Sequence, residues 1–395
     1  MNLICTQENL NKALNVVGKI INKNTTLPIL NNILLKTDKG RLKLSSTNLE
    51  LGINYWVGSK VEEEGEITVP TRLFANFISS LPNSNVEIKL KDDVLNIKCD
   101  KYKTNIKGLS AKEYPLIPKI EAEPVFKINN TEFKQALMQI LPAVSSSESR
   151  IEITGIFLDL AKLSQNKIIL VATDSYRLAE KTLTLKKENV NKEALNIAGN
   201  ITSVIIPKNA VQELIRDLDD SENLLEVVIS ENQILFRFNN ANMISRLLEG
   251  KYPDYKQIIP NQFRTEAIVN VEEISNAIRV AGLFVNVANN NIKLKAYPSS
   301  NILEVSSEAS EIGSNNTKVE AEIKENILEM DKTDNNTKIE AEIKEAMYNY
   351  RYLSDGFGGI DGEKAILKIN GEKLPTVLTS ATDKDLIYVI MPVRA

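Results

Sequence analysis

The sequence predicts an α+β protein made of three similar domains, each with two helices and several strands. Three observations lead to this fold class. The chain repeats itself about every 125 residues. Each repeat opens on an amphipathic helix, and alternating β-rich runs follow that helix. A chain of 395 residues has room for two to four ordinary domains, so three repeats of this size account for all of it.

The opening helix of each repeat is predicted from apolar residues at helical spacing. In the first repeat, Thr6 precedes an acidic first turn and an apolar stripe, and in the second repeat Thr131 does the same. Both threonines are therefore candidate helix N-caps. The third repeat shows the same stripe from Val271 onward.

A second helix and a Tyr-Pro pair recur later in the repeats. A β-rich run ends at Pro70 in the first repeat and at Pro207 in the second, and a helical pattern follows each proline. The pairs Tyr114-Pro115 and Tyr252-Pro253 follow, so that the proline-to-proline spacing is 45 and 46 residues. Helix, strand, proline and Tyr-Pro recur in one order, which is not expected by chance.

Charge is distributed unevenly over the three predicted domains. The boundaries predicted from the repeats are 1–122, 123–250 and 251–395, the last with a duplicated insertion around 313–345. Formal charge is +4 in the first domain (17 basic, 13 acidic), −3 in the second (14 and 17) and −5 in the third (17 and 22). The total of −4 is unlike most DNA-binding proteins, but a positive surface can exist within an acidic chain.

Several classes of protein are disfavoured by composition. The chain has no histidine, the usual general base near neutral pH, and its two cysteines, Cys5 and Cys99, are too few for a thiolate zinc site. There is no signal peptide and no apolar run near the roughly 20 residues of a membrane helix. We expect a cytoplasmic globular protein with no cofactor, no bound metal, no membrane association and no disulfide.

Four separated motifs resemble one family. They are Thr26-Leu27-Pro28-Ile29-Leu30, Val171-Ala172-Thr173-Asp174-Ser175-Tyr176-Arg177-Leu178-Ala179, Tyr252-Pro253-Asp254-Tyr255 and Tyr388-Val389-Ile390-Met391-Pro392-Val393-Arg394. Together with the triple repeat, they make the chain similar to the bacterial DNA polymerase III beta subunit, the beta sliding clamp. The resemblance covers essentially the whole chain. It implies the DNA-clamp fold with antiparallel sheets, and a non-catalytic processivity factor whose head-to-tail homodimer encircles duplex DNA.

Ring closure by a homodimer predicts contacts between unlike ends of two chains. Three repeats are half of a six-domain ring, so the first repeat of one copy must meet the third repeat of the other. The interface segments expected from the sequence are Phe74 to Leu81 with the strand that follows it, and the region from Ile274 to Leu283.

The resemblance also implies a hydrophobic pocket that binds short Leu/Phe peptides. Its partners would be the replicative polymerase catalytic subunit, the clamp loader, other polymerases and repair proteins. Position by position, the pocket comprises Ile153, Thr173, Ser175, Tyr176, Arg177, Leu178, Pro253, Ile258, Asn349, Tyr352, Val389, Ile390, Met391, Pro392, Val393 and Arg394. Ser175-Tyr176 replaces a Gly-His pair often found there. Taken alone, Val389 to Met391 also suits a core strand, and Thr173-Asp174 also suits a turn in which Asp174 accepts backbone hydrogen bonds.

Basic residues on the predicted helices and loops are candidates for sequence-independent contact with DNA phosphates. They are Lys12, Lys19, Lys23, Arg72, Lys134, Arg150, Lys208, Arg216 and Arg279. Each of them taken singly is equally compatible with an ordinary solvated charge. Glu152, beside Arg150, would repel phosphate.

Two other classes of function remain open from the residues alone. An enzyme would use the carboxylates Asp174 and Glu180 near Arg177, or Ser175 activated by Lys181. These residues match no established catalytic spacing, and the chain has no P-loop and no GxGxxG. A scaffold that binds proteins but not DNA is the third class.

One feature of the third repeat has no counterpart in the family. Residues 315–325 recur almost unchanged as residues 335–345, an offset of 20. Their apolar–charged alternation suits a half-buried strand, although helical spacing fits as well. We expect an acidic surface insertion that is neutral for function, so that deletion of residues 324–343 should be tolerated. A functional docking element is the alternative, and loss of a single partner after the deletion would favour it.

Overall fold

The computed structural model describes residues 1–20, 27–191, 193–194, 201–286, 289–325 and 344–393. They form two compact units. The first is built from Met1–Lys134, Leu185–Ile201 and Asn209–Leu247, and the second from Gln135–Thr184, Thr202–Lys208 and Leu248–Ala395. The middle third of the chain contributes to both units. The domain boundaries taken from the sequence repeats therefore remain predictions.

Each repeat contains two helices and a series of short strands, as the sequence predicts. The first repeat consists of β1 (Asn2–Thr6), α1 (Gln7–Val17), β2 (Asn32–Asp38), β3 (Arg41–Thr47), β4 (Leu51–Val57), β5 (Ser59–Glu63), β6 (Glu66–Pro70), α2 (Thr71–Ser79), β7 (Asn85–Lys91), β8 (Val94–Cys99) and β9 (Tyr102–Lys107). The second consists of β10 (Phe126–Asn129), α3 (Asn130–Ile140), β11 (Gly155–Asp159), β12 (Lys167–Thr173), β13 (Arg177–Thr184), β14 (Ser203–Pro207), α4 (Lys208–Asp217), β15 (Leu224–Ile229), β16 (Gln233–Phe238) and β17 (Ala241–Arg246). The third consists of β18 (Thr265–Asn270), α5 (Val271–Ala281), β19 (Asn291–Tyr297), β20 (Ile302–Ala309), β21 (Gly313–Glu325), β22 (Lys344–Asn349), α6 (Tyr350–Gly358), β23 (Lys364–Ile369), β24 (Thr376–Ser380) and β25 (Leu386–Ile390). No helix in the described part of the chain is long and apolar enough to cross a membrane.

Helix starts agree with the sequence in one repeat and differ in another. Thr6 caps α1, because its hydroxyl oxygen accepts a hydrogen bond from the backbone N–H of Asn9 at 3.4 Å. The prediction that Thr131 caps α3 is wrong. That helix already begins at Asn130, and the side chain of Asn129 accepts from the backbone N–H of Thr131 at 2.9 Å. Asparagine is as good a cap as threonine, so the pattern alone did not separate the two.

The first unit contains two antiparallel sheets. One has five strands, in the order β5-β1-β7-β8-β9, and comes entirely from the first repeat. The other has eight strands, in the order β10-β15-β16-β17-β4-β3-β2-β6. In this larger sheet β17 of the second repeat pairs with β4 of the first, so the sheet continues from one repeat into the next.

The second unit contains a sheet of twelve strands. Their order is β14-β11-β12-β13-β25-β24-β23-β18-β21-β20-β19-β22. Here β13 of the second repeat pairs with β25 of the third, again antiparallel. The second and third repeats are thus joined in the same way as the first and second.

The Tyr-Pro pairs have a structural role in the core. Tyr114 is buried, and its hydroxyl donates to the backbone oxygen of Asn32 at 3.2 Å. Tyr252 is also buried and stacks on Phe157, with 4.7 Å between ring centroids. Each tyrosine fastens the segment after the last strands of its repeat to a sheet, which explains why the motif recurs.

The two cysteines are free and buried, in agreement with the sequence analysis. Cys5 lies on β1 and Cys99 on β8, which pair with opposite sides of β7, so a whole strand separates them. Burial raises the pKa of the Cys5 thiol to about 12, which makes it a poor nucleophile at neutral pH.

The first copy of the duplicated segment forms β21. Residues 313–320 of this strand pair with β20 and residues 321–325 pair with β18. Val319 and Ala321 are buried and their charged neighbours are exposed, which confirms the half-buried strand predicted for this copy. Of the second copy, residues 335–343 lie outside the described residues, and Lys344-Glu345 begins β22.

The duplication is longer than the segment identified above. Asn301-Ile302-Leu303-Glu304, at the start of β20, recurs as Asn326-Ile327-Leu328-Glu329. Residues 326–345 therefore repeat both ends of the β20–β21 hairpin, residues 301–304 and 315–325, and carry five unrelated residues in place of the ten between them. The different offset of this first part, 25 rather than 20, hides it from a comparison at one fixed spacing.

The first repeat shows where the extra residues were inserted. Counted from the helix starts, Glu63 opposite Asn2 corresponds to Lys324 opposite Glu266. In the same way, Glu66 opposite Lys36 corresponds to Glu345 opposite Lys295. Two residues separate Glu63 from Glu66, whereas 20 separate Lys324 from Glu345. The third repeat thus carries 18 additional residues, which correspond to residues 326–343.

This correspondence changes the deletion expected to be tolerated. Removing residues 326–343 should leave the melting temperature nearly unchanged, because it restores the connection length of the first repeat. Removing residues 324–343 leaves a single Lys-Glu pair where the structure uses two, one ending β21 and one beginning β22. We expect the 20-residue deletion to melt about 1 to 2 °C lower, as a loss of about 1 kcal/mol would produce in a chain of this length. Equal melting temperatures would contradict the assignment of the insertion.

Candidate functional site

The turn between β12 and β13 carries the most distinctive motif of the sequence. Asp174 accepts two backbone hydrogen bonds with one carboxylate oxygen, from Tyr176 at 2.9 Å and Arg177 at 3.0 Å. The Thr173 hydroxyl accepts from the backbone N–H of Ser175 at 3.1 Å and donates to the Arg177 carbonyl. The turn reading of Thr173-Asp174 is therefore confirmed.

Ser175 has a φ of +77°, in the left-handed region that favours glycine. This explains why glycine is suited to the position in the family that the sequence resembles. The turn that results leaves Tyr176 with 63% of its surface exposed.

Arg177 is the most heavily hydrogen-bonded side chain of this region. Its Nε donates to Asp174 at 3.2 Å, and Nη1 donates to Asp355 and, at 3.2 Å, to the Tyr388 hydroxyl. Nη2 donates to the carbonyl oxygen of Pro142 at 2.5 Å. The guanidinium therefore ties the turn to the end of α3, to α6 and to β25.

Three side chains are stacked beside this network. The Arg177 guanidinium carbon lies 4.4 Å from the centre of the Tyr352 ring. The rings of Tyr352 and Tyr176 are stacked in turn, with centroids 6.5 Å apart and an interplanar angle of 23°. The exposed end of this stack is an aromatic surface.

The C-terminal segment runs beside the same turn. The backbone N–H of Met391 donates to the Tyr176 carbonyl at 2.9 Å, and that of Val393 donates to the Met347 carbonyl at 2.7 Å. Met391, Pro392 and Val393 are all partly exposed. Arg394, also predicted in the pocket, lies outside the described residues.

The remaining predicted pocket residues fall into two groups. Five are buried and can only support the surface from below: Ile153, Thr173, Leu178, Val389 and Ile390. Pro253 and the exposed Ile258 flank Tyr252 and Tyr255, which pack in the same core cluster as Leu178 and Val389. Asn349 caps α6, accepting from the backbone N–H of Arg351 at 3.0 Å. A core-strand role is thus correct for Val389 and Ile390 but not for Met391.

A cavity of about 540 Å³ lies next to this surface. It is lined by Lys293, Glu345, Ala346, Met347, Glu372, Lys373 and Val393. Val393 is the only predicted pocket residue in this lining. The other predicted pocket residues do not line this cavity. The lysine and glutamate residues that line the cavity were not predicted from the sequence.

The residues proposed for catalysis are used in other contacts. Lys181 forms an ion pair with Asp383, and the Ser175 hydroxyl accepts from Arg150 Nη1 at 3.3 Å. Asp174 is occupied by its two backbone donors and by Arg177. No nucleophile with its base is assembled from these residues.

The candidate DNA-binding residues are spread over both units. Lys12, Arg72, Lys134, Lys208, Arg216 and Arg279 lie on helices, Lys19 follows α1, and Arg150 precedes Ile151 in a loop. Lys23 lies outside the described residues. Five have a carboxylate partner: Lys12 with Glu8, Lys19 with Asp217, Lys134 with Asp220, Arg150 with Glu152, and Arg216 with Glu213. Arg72, Lys208 and Arg279 have no ion-pair partner among the described residues.

The partner of Lys19 is unusual. The Asp217 side chain is fully buried, and neither carboxylate oxygen receives a hydrogen bond from a described residue. Lys19 Nζ is 3.6 Å from its Oδ1. Burial raises the pKa of Asp217 to about 7, since the attraction of Lys19 only partly offsets the cost of desolvation.

The pKa of Asp217 leads to a pH-dependent prediction. Between its usual pKa of 3.8 and the folded value of about 7, the folded protein holds a proton that the unfolded chain has lost. Stability contributed by this group is therefore lost as pH rises through that window. Asp217→Asn should raise the free energy of unfolding by about 2 kcal/mol at pH 8, and by much less at pH 5, in urea melts.

Asp219 provides a control of opposite sign. Partial burial opposes its ionisation, but hydrogen bonds from Ser221, Asn130 and Asn239 outweigh that effect and lower its pKa. Asp219→Asn should therefore lose stability at pH 8 and less of it in acid. A destabilised Asp217→Asn at pH 8 would show that the buried carboxylate is stabilising.

Comparison with known proteins identifies a family along the whole chain. Residues 1–118, 127–254 and 256–394 match the N-terminal, central and C-terminal domains of the DNA polymerase III beta subunit. The beta sliding clamp of Bacillus subtilis is 31% identical over 405 residues, covering 100% of both chains, and that of Staphylococcus aureus is 28% identical over 96% of each. The crystal structure of the DNA polymerase sliding clamp from Bacillus subtilis has a TM-score of 0.88, at 28% identity, over 100% of this chain and 99% of that one. The chain belongs to the DNA polymerase III beta subunit family, the beta sliding clamps, which are non-catalytic accessory subunits of a DNA polymerase.

Proposed function

We propose that this sliding clamp closes as a head-to-tail homodimer around duplex DNA in the cytoplasm. It holds DNA without regard to sequence. It docks the polymerase catalytic subunit, the clamp loader, other polymerases and repair proteins through short Leu/Phe peptides. The observation that carries the proposal is the common register of the two junctions between repeats.

Both junctions pair equivalent residues. In the first, Asn242 of β17 lies opposite Asn54 of β4, and in the second, Ile387 of β25 lies opposite Glu180 of β13. Asn242 and Ile387 each pair with an equivalent residue of the strand that precedes them in the chain. The same is true of Asn54 and Glu180. One rule of strand pairing thus joins each repeat to the next.

When the same rule of strand pairing is applied once more, two of the described strands lack a partner. β9 is the last strand of its sheet, and residues 313–320 of β21 pair on one side only among the described strands. The equivalent residues are Lys103 on β9 and Asn316 on β21. Both are exposed, which is what a shared outer face requires. Pairing β9 of one copy with β21 of another makes two junctions, and two junctions close a ring.

Exposed apolar residues on helices support the same interface. Leu283, just after α5, is 69% exposed, and Leu73 on α2 is 56% exposed. Leu283 lies within the segment expected from the sequence and Leu73 immediately precedes the other. The strand expected to accompany α2 changes, however, because β7 is paired on both sides, with β1 and β8. The free edge belongs to β9.

Binding to DNA is supported by helix residues of both units. Arg72, Lys208 and Arg279 carry charges that no described carboxylate neutralises. Such contacts to phosphate carry no sequence information. Because equilibrium affinity falls by about 0.9 log units per log unit of salt for each neutralised phosphate, binding through such contacts weakens as salt rises. Lasting retention must then come from ring closure.

The docking surface is supported by exposed apolar groups around the β12–β13 turn. Tyr176, Ile258 and Met391 offer an aromatic ring, an aliphatic group and a flexible thioether, and the backbone of Met391 is hydrogen-bonded to that of Tyr176. An apolar surface with a few polar groups suits a short peptide with large apolar side chains. We name this group of residues, with Tyr352 and Val393, the docking surface.

The interface can be tested by cross-linking. Lys103→Cys combined with Asn316→Cys in one chain should give a covalent dimer with a short thiol cross-linker, because directly opposite side chains lie about 5 Å apart. The native cysteines are buried and should give little background. Lys103→Cys with Asn315→Cys, whose side chains face opposite sides of the sheet, is the matched control. A dimer formed equally well by both variants would contradict the register.

Topological retention tests the ring itself. When the Lys103→Cys, Asn316→Cys protein is cross-linked in the presence of nicked circular DNA, part of it should remain on the DNA in high salt. Cutting the circle once should then release it, since a closed ring slides off an end. Gel filtration of protein with DNA measures both. The same release from circular and linear DNA would rule out encirclement and favour the scaffold alternative.

The docking surface is tested by adding charge. Met391→Glu should reduce the affinity for a Leu/Phe peptide at least tenfold in a fluorescence titration, because burying an unpaired charge costs several kcal/mol. Leu116→Glu, at a position that is 95% exposed, should leave affinity unchanged. The cross-linked dimer should form equally with both variants. Unchanged peptide affinity in Met391→Glu would exclude this surface.

A further inference from the structure

We propose that Arg177 is a positioning residue of the docking surface, which acts by holding the Tyr352 ring and does not itself contact the partner peptide. This inference rests on the proposed function of the docking surface. It assigns to Arg177 a role different from that of the residues around it.

The hydrogen-bonding capacity of Arg177 is nearly used up inside the protein. A guanidinium has five N–H groups. Four of them are engaged, by Asp174, Asp355, Tyr388 and the Pro142 carbonyl. The side chain is only 10% exposed. Little of it remains available to a peptide backbone.

One face of the guanidinium is covered by Tyr352. At 4.4 Å from guanidinium carbon to ring centroid, the two planar groups are in contact. Four hydrogen bonds from different elements fix the plane of the guanidinium, and the ring stacked on it inherits that orientation. Stacking of a cation on an aromatic face adds attraction of its own.

Tyr176 extends the stack to the surface. Its ring lies nearly parallel to that of Tyr352, at 6.5 Å between centroids, and is mostly exposed. A preformed aromatic wall saves the cost of ordering these rings when a peptide binds. Arg177 therefore fixes the orientation of this aromatic wall by stacking on Tyr352.

Two carboxylates hold the arginine in place. Asp174 is fixed by its backbone donors, whereas Asp355, whose side chain is 39% exposed, is held on α6 one turn after Tyr352. Asp355 therefore helps to hold the guanidinium on which the Tyr352 ring is stacked. It offers a second way to disturb the wall without altering either tyrosine.

A double-mutant cycle on peptide affinity tests the role. Arg177→Lys cannot make the four hydrogen bonds or present a planar face, and it should weaken binding of a Leu/Phe peptide about tenfold. In a Tyr352→Ala background the same substitution should have no further effect, because the ring through which it acts is gone. Asp355→Asn should show the same pattern, with a smaller loss of peptide affinity. It replaces Arg177→Lys in the cycle if that variant does not fold.

A matched control separates positioning from general destabilisation. Lys181→Met breaks the partly buried ion pair that Lys181 of β13 forms with Asp383, in which neither tyrosine takes part. It should lower the melting temperature and leave peptide affinity unchanged. Affinity that falls in Lys181→Met as much as in Arg177→Lys would reduce the effect to stability and overturn the inference.

Failure of the inference and failure of the proposed function look different. Additive losses for Arg177→Lys and Tyr352→Ala would mean that the arginine contacts the peptide directly, and the positioning role would be wrong while the docking surface stands. No binding by the unmodified protein would overturn the docking surface and with it the positioning role.

Discussion

The structure depends on the need of every edge strand for a partner. An edge exposes unpaired N–H and C=O groups, and proteins either cover them or pair them. Here the second repeat covers one edge of the first through β4 and β17, and the third covers one edge of the second through β13 and β25. In the proposed homodimer the same rule would pair the one edge that remains at each end of the series, so that assembly would continue the strand pairing of folding.

Much of this architecture could be predicted from the sequence because it is repetitive. The helix stripes, the Thr6 cap and the alternation in residues 315–325 are local, and each is present in the structure. Where two local signals were equally good, as for Asn129 and Thr131, the pattern could not choose. The deletion expected from the sequence also differs by two residues from the one that strand pairing favours, since strand ends are set by pairing partners far away in the chain.

The candidate site was less accessible to sequence reasoning. Arg177 could be placed near the pocket, but its partners Pro142, Asp355 and Tyr388 come from three distant segments, and no spacing announces them. Asp355 left a weak signal, three residues after Tyr352 on one helix. The basic residues were found, yet the carboxylates beside Lys19 and Lys134 lie about 200 and 90 residues away. A charge count along the chain does not show which charges are free.

The duplicated hairpin affects how the sequence can change during evolution. The two copies are almost identical over residues 315–325 and 335–345, so homologous exchange between them within that stretch always removes 20 residues, wherever it occurs. It never removes 18, the number that would restore the connection length of the first repeat. The simplest genetic reversal therefore yields a chain two residues too short between β21 and β22. Such an insertion is easily acquired in one step and is not cleanly lost in one step, which acts as a ratchet that retains it even without a task.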